Sequence, residues 1–149
     1  MRLDRAWIER SIPHDGRMCL LDEVISWDAR QVRCRSGTHR LPDHPLRSRG
    51  RLGIACGIEY AAQAMAVHGA LAGGALEARP ESGFLASLRD VRLHVLRLDD
   101  LASDLYCDAT LAAGDRSSAL YEFALWCDAK LLLGGRATVI FDAKQRLNT

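Results

Sequence analysis

The stretch GIEYAAQAMAVHGALAGGAL, from Gly57 to Leu76, is apolar on nearly every side of a helix and rich in Ala and Gly. A helix without a continuous polar face must be covered all round, by lipid or by the rest of its own chain. A bilayer span would take about 20 strongly apolar residues, whereas small side chains dominate here and Glu59, Gln63 and His68 interrupt them. The reading is therefore a central helix wrapped by a sheet, since Ala and Gly let strands approach the helix backbone closely. Glu59 falls in the first turn of that helix.

Elsewhere the apolar residues follow a period of two. Val32, Cys34 and Ser36 alternate with Arg33 and Arg35, so the runs Cys19 to Trp27 and Gln31 to Thr38 read as a hairpin with one wet face, joined by Asp28, Ala29 and Arg30. After the breaker EARPESG the alternation returns. A strand from about Phe84 to Leu98 is followed by one through Leu105, Cys107, Ala109 and Leu111, one from Ala119 to Cys127, and one through Ala137, Val139 and Phe141. Turn signals at Asp99-Asp100, Gly114-Asp115 and Gly134-Gly135 make these four strands consecutive antiparallel neighbours. Trp7 to Arg17, punctuated by Pro13 and Gly16, reads as a short helix or turn, and HRLPDHPLRSRGRLG as a loop before the helix. The predicted fold class is α+β, one antiparallel sheet of five to six strands curled round a long helix, in a single domain over residues 1–149.

The chain carries 20 Lys and Arg against 19 Asp and Glu, a net charge of +1 that argues against a dedicated nucleic-acid binder. Arginines concentrate locally: Arg30, Arg33, Arg35, Arg40, Arg47, Arg49 and Arg51 stand with a single acid, Asp43, so an acidic or phosphorylated partner and a solvated face both fit. Five cysteines without a C-x-x-C pair read as buried free thiols. No leading apolar run reads as a signal peptide, so a cytoplasmic chain is expected. G-x-S-x-G, G-x-G-x-x-G and P-loop strings do not occur, which disfavours serine hydrolysis and nucleotide chemistry. His39, Asp43 and His44 lack a clear metal-ligand spacing, and no metal is expected.

Three strings in order carry a resemblance over nearly the whole chain. IPHDGRMCLLDEV is similar to the opening segment of the hotdog-fold 3-hydroxyacyl-acyl-carrier-protein dehydratases, GIEYAAQAMAVHG to their central helix, and GFLASLRDVRLHV to the strand that follows. The chain resembles in particular the smaller subfamily associated with fatty-acid and aryl-polyene synthesis. This resemblance implies dehydration of a 3-hydroxyacyl thioester to the trans-2-enoyl thioester, with no cofactor beyond the phosphopantetheine that carries the substrate. It implies Glu59 as the acid that protonates the departing hydroxyl and His44 as the base that takes the α-proton. His44 meets Pro45 directly, where the family places an apolar residue between His and Pro, and the loop up to Glu59 is about one residue longer. The resemblance further implies a homodimer whose two long helices lie together, with larger oligomers left open, and an active site at the interface that draws His44 and Glu59 from different subunits; no nucleic-acid or membrane partner is expected. Arg51, Arg89 and Arg92, with Arg47, Arg49 and Arg97, are then candidates for meeting the phosphopantetheine phosphate of an acyl carrier protein or coenzyme A thioester. An acyl thioesterase of the same fold, with Glu59 activating water, and a non-catalytic acyl-thioester-binding protein remain as rivals.

Eliminating water from such a thioester needs a group to remove the α-proton, one to protonate the leaving hydroxide, and donors for the thioester oxygen. The helix N-terminus favours a carboxylate by about 0.3–1 kcal/mol, so a glutamate that donates there needs desolvation to win. Ile58, Ala61 and Ala62 supply apolar surroundings. Gln63, about 40° round and one turn along, can orient the Glu59 carboxyl. Gly53 and Gly57 either lend unhindered N–H groups to the thioester oxygen or simply admit the chain into the helix. His68, about 180° round from Glu59, reads as a satisfied core histidine, His94 as structural, and His14 as a fold-stabilising hydrogen-bonder.

Overall fold

A computed structural model describes residues 3–12, 16–74 and 83–141. Asp4 caps α1 (Arg5–Ser11) by accepting the Trp7 N–H at 3.1 Å, and the helix buries Ile8. From its first turn Arg5 reaches the carbonyls of Gly16 and Cys19, at 3.0 and 2.5 Å, and ties the following segment down. The hairpin consists of β1 (Glu23–Trp27) and β2 (Gln31–Ser36), with Asp28 Oδ1 accepting the N–H groups of Arg30 and Gln31 in the turn. A 3₁₀ turn at Ile54–Cys56 leads into α2 (Gly57–Gly74), and β3 (Gly83–Leu93), β4 (Leu105–Gly114), β5 (Ser118–Cys127) and β6 (Lys130–Phe141) complete the chain. The expected end of the long helix at Leu76, the breaker after it, and His14 lie outside the described residues.

All six strands form one antiparallel sheet in the order β1-β2-β4-β5-β6-β3. This corrects the expected four-strand meander. β3 does not pair with β4 but lies on the far edge against β6, and β4 slots in beside β2. The physical reason lies in the connection 94–104, which is held to the loop before α2 instead of turning straight back. Ile54 N–H donates to Leu96 O at 3.1 Å and Leu98 N–H to Leu52 O at 2.8 Å, so β3 stops at Leu93 rather than Leu98.

Register rows show how the alternating residues meet the helix. Cys34, Cys107, Leu125 and Leu133 align across four strands, as do Val32, Ala109, Phe123 and Gly135. These rows join one core with Tyr60, Ala61, Ala64 and Val67 of α2, each of those four at 0% exposure. Gly134-Gly135 is not a turn, as the sequence suggested, but lies in the middle of β6; the turn falls at Asp128, whose φ is 54°. Gly135 is needed for close approach instead, because a Cβ there would lie 2.9 Å from Phe123 Cζ and 3.1 Å from Val91 Cγ2.

Among the described residues, one side of the helix is only half covered. Ile58, Glu59, Ala62, Ala66, Gly69, Ala70, Ala72 and Gly73 are half-buried, and at about 100° per residue they fall on one side of α2. Glu59 heads that open stripe of small residues. Gly135→Ala is expected to destabilise the fold by about 1–3 kcal/mol, read as a lower urea midpoint at unchanged slope. An unchanged midpoint would mean that Phe123 moves aside without cost.

Candidate active site

Gln63 is fully buried, and its amide is oriented by what surrounds it. Its Oε1 accepts the Leu20 N–H at 2.8 Å while its Nε2 donates to Met18 O at 2.7 Å. The same Nε2 lies 3.4 Å from Glu59 Oε1. One side chain therefore docks the segment before β1 onto α2 and presents an N–H to the carboxyl, as the helical spacing anticipated.

His44 is 4% exposed, and the loop folds it inward. Its Nδ1 accepts the Leu46 N–H at 3.0 Å, a bond made across Pro45, and its Nε2 lies 3.0 Å from Tyr60 Oη, with the two rings stacked at 28°. Tyr60 Oη continues to Thr38 Oγ1 at 2.8 Å, and both Thr38 and Ser36 donate to Leu20 O, at 2.8 and 2.5 Å. Burial lowers the His44 pKa, the nearby charges of Arg47 and His39 lower it further, and only Asp43 opposes them. Burial likewise pushes the Tyr60 hydroxyl up to about 12. Tyr60 is the site residue that the sequence did not reveal, although a phenol on the buried face of an apolar helix always needs a partner.

With this geometry in hand, comparison with known proteins is decisive. The profile of the ApeP-like family, described as ApeP dehydratase, matches residues 6–148. The chain belongs to that dehydratase family. A solved structure of the dehydratase heterocomplex ApeI:P from Xenorhabdus doucetiae is similar at 25% identity and a TM-score of 0.81, covering 95% of this chain and 94% of that one. At the level of fold alone, a mutant of the thioesterase PA1618 from Pseudomonas aeruginosa is similar at 12% identity, TM-score 0.57, with 80% and 81% of the two chains covered. A hypothetical thioesterase from Streptococcus pneumoniae TIGR4, solved with coenzyme A, matches at 10% identity, TM-score 0.59, with 80% and 84% covered. No curated relative matches the chain.

The rest of this ApeP-like dehydratase sorts the sequence-based candidates. Gly57 does not offer a free donor, because its N–H turns back to the carbonyls of Ile54 and Ala55. What it does is let α2 touch the sheet: a Cβ there would lie 2.5 Å from Leu133 Cδ2 and 2.9 Å from Leu125 Cδ2. Gly53 is exposed, and the ladder to Leu96 and Leu98 uses its neighbours' polar groups rather than its own N–H. His68 is a satisfied core residue, with Tyr121 Oη at 2.8 Å and Asp28 O at 3.1 Å. His94 is exposed at the end of β3. His39 is fully buried with Nε2 on Leu101 O at 3.0 Å, and among the described residues no group of three His, Cys, Asp or Glu could hold a metal. Four cysteines are buried and Cys56 is half-buried, all of them free thiols, and Cys34 is pushed up to about 12 by burial.

Many of the clustered arginines are committed inside the chain. Arg47 donates to Leu41 O at 2.8 Å and Gly50 O at 3.0 Å, with the Asp99 carboxylate 3.8 Å away. Arg35 and Arg40 share Asp104, at 3.0 and 2.6 Å. Arg51, on the loop before α2, and Arg89 and Arg92, on edge strand β3, are exposed. Asp99 holds the His44 loop to the β3–β4 connection: it takes the Leu52 N–H at 2.8 Å and chelates Arg97. Its side chain is 6% exposed, and the Arg97 hydrogen bonds, aided by Leu52 N–H and opposed by burial, hold the carboxyl far below the usual carboxylate range. A depressed carboxylate stabilises the fold above its unfolded pKa of about 4 and loses that contribution as pH falls below it. Thermal midpoints measured between about pH 6 and pH 2 should therefore fall more steeply for the wild type than for Asp99→Asn; parallel curves would remove Asp99 as a clamp.

Proposed function

We propose that this ApeP-like dehydratase eliminates water from a 3-hydroxyacyl thioester carried on the phosphopantetheine of an acyl carrier protein, releasing the trans-2-enoyl thioester. The observation that carries the reading is Glu59. It stands at the head of the half-buried, small-residue stripe of α2, with a buried amide at 3.4 Å aimed at its carboxyl. A flat acyl chain can lie along Ala62, Ala66 and Gly69 with its β-hydroxyl at the acid end. Glu59 then delivers the proton that turns the hydroxyl into water, and the Gly53 N–H receives the thioester oxygen as charge builds on it. The exposed guanidinium groups of Arg51, Arg89 and Arg92 suit a phosphopantetheine phosphate and an acidic carrier surface.

The working unit we infer is a dimer of two copies of this chain. Edge strand β3 leaves Leu85, Leu88 and Leu93 exposed, at 37%, 38% and 48%, an apolar edge that a second subunit would cover. The similar ApeI:P assembly is a heterocomplex, so mass measured in solution separates a homodimer from a chain that waits for a different partner.

Purified protein incubated with a 3-hydroxyacyl-carrier-protein thioester should form the conjugated enoyl product, followed by absorbance. Glu59→Gln should lower kcat by about 10²–10⁴-fold with the fold intact. Turnover that survives the substitution would overturn the assignment, and release of free thiol without enoyl product would make the chain a thioesterase.

A further inference from the structure

His44 has no lone pair left to act with. A backbone N–H can only donate, so Leu46 fixes Nδ1 as an acceptor, and the ring's single proton must sit on Nε2. That N–H points at Tyr60 Oη; because the Thr38 hydroxyl donates to Leu20 O, the Tyr60 hydroxyl must be the donor to Thr38 Oγ1. The chain of bonds has one direction only, from Leu46 N–H to Leu20 O. A cationic ring would break its first bond, and the groups facing His44 disfavour the cation: Arg47 and His39 from its own loop outweigh Asp43, and Tyr60 from α2 is neutral.

We propose that His44 is a positioning residue, a fixed hydrogen-bond donor that seats Tyr60, and that all proton exchange with the substrate runs through Glu59. The second half rests on the dehydratase reading above. Starting as a carboxylate, Glu59 takes the α-proton; the C–H electron pair becomes the new C=C bond, and the C–O bond to the β-hydroxyl breaks. The departing hydroxide takes the same proton back from Glu59 and leaves as water, so the carboxylate is regenerated without any further reactant. Within one chain, helix geometry also separates the two residues. Tyr60 lies about 100° round from Glu59, on the buried face, so His44 is drawn behind the helix while Glu59 faces the open stripe.

Two measurements test this. Nitrogen-15 spectra of histidine-labelled protein should show the His44 ring protonated at Nε2 and bare at Nδ1 from about pH 6 to 8, and a ring protonated at Nδ1 overturns the proposal whatever the activity. In the enoyl-forming assay His44→Ala should lower kcat about tenfold by unseating Tyr60, and His44→Gln, whose terminal amide can donate to Tyr60, should restore it to within about threefold of wild type. A general base contributes about 10²–10⁴-fold, so a loss of that size in His44→Gln, with an unchanged melting curve, restores His44 as the base and leaves the dehydratase reading standing. If the wild type forms no enoyl product at all, the dehydratase reading falls and takes the Glu59 half with it, and the spectra alone decide the role of His44.

Discussion

Everything around the site follows from burying three polar side chains on the closed face of α2. Tyr60, Gln63 and His68 are at 0%, 0% and 1% exposure, and a buried polar group left without a partner costs about 1–3 kcal/mol. Each therefore had to be met by a different part of the chain. Tyr60 meets Thr38 and the His44 loop, Gln63 meets Met18 and Leu20, and His68 meets Tyr121 and the β1–β2 turn. Three hydrogen-bonded anchors along one helix thereby fix the positions of loop, N-terminal segment and hairpin. The open face is left with small residues and Glu59.

The second organising term is charge. A net charge of +1 hides a chain in which carboxylates act as hubs for arginines. Asp99 gathers Arg97, Arg47 and the Leu52 N–H, and Asp104 gathers Arg35 and Arg40. Asp99, nearly excluded from solvent, can hold structure; pairs such as Arg17 with Asp43, at 69% and 66% exposure, contribute little. Arginine-rich sequence around the His44 loop is thus in good part scaffolding rather than a waiting docking surface.

How much of this could be read from the residues depended on the range of the interaction. Period two in Leu105–Leu111 and Ala119–Cys127, and the unbroken small-residue run from Gly57, identify the strands and the helix because those signals are local. The place of β3 is not local. Its pairing with β6 is decided by the 94–104 connection and its contacts to 52–54, which no alternation encodes. Gly135 misleads for a related reason: glycine marks a turn and a close approach with the same letter, and only Phe123 and Val91 across the sheet distinguish them. The approach of Gln63 to Glu59 follows from helical spacing, whereas Glu59 and His44 were singled out only by the resemblance to the dehydratases. Tyr60, adjacent to Glu59, was hidden because its partner is sixteen residues away on a loop.

That hidden partner changes how an acid and a histidine in one sequence should be weighed. The resemblance pairs His44 with Glu59, but the work of an imidazole is set by which nitrogen is free, and that depends on a backbone amide two residues on. The direct His44-Pro45 step holds the chain so that the Leu46 N–H closes back on Nδ1. An inserted residue at that point would move the amide and open the same nitrogen. The difference between a base and a structural donor can thus rest on one residue of loop length, while the carboxylate on the rigid helix keeps its exposure to the open face either way.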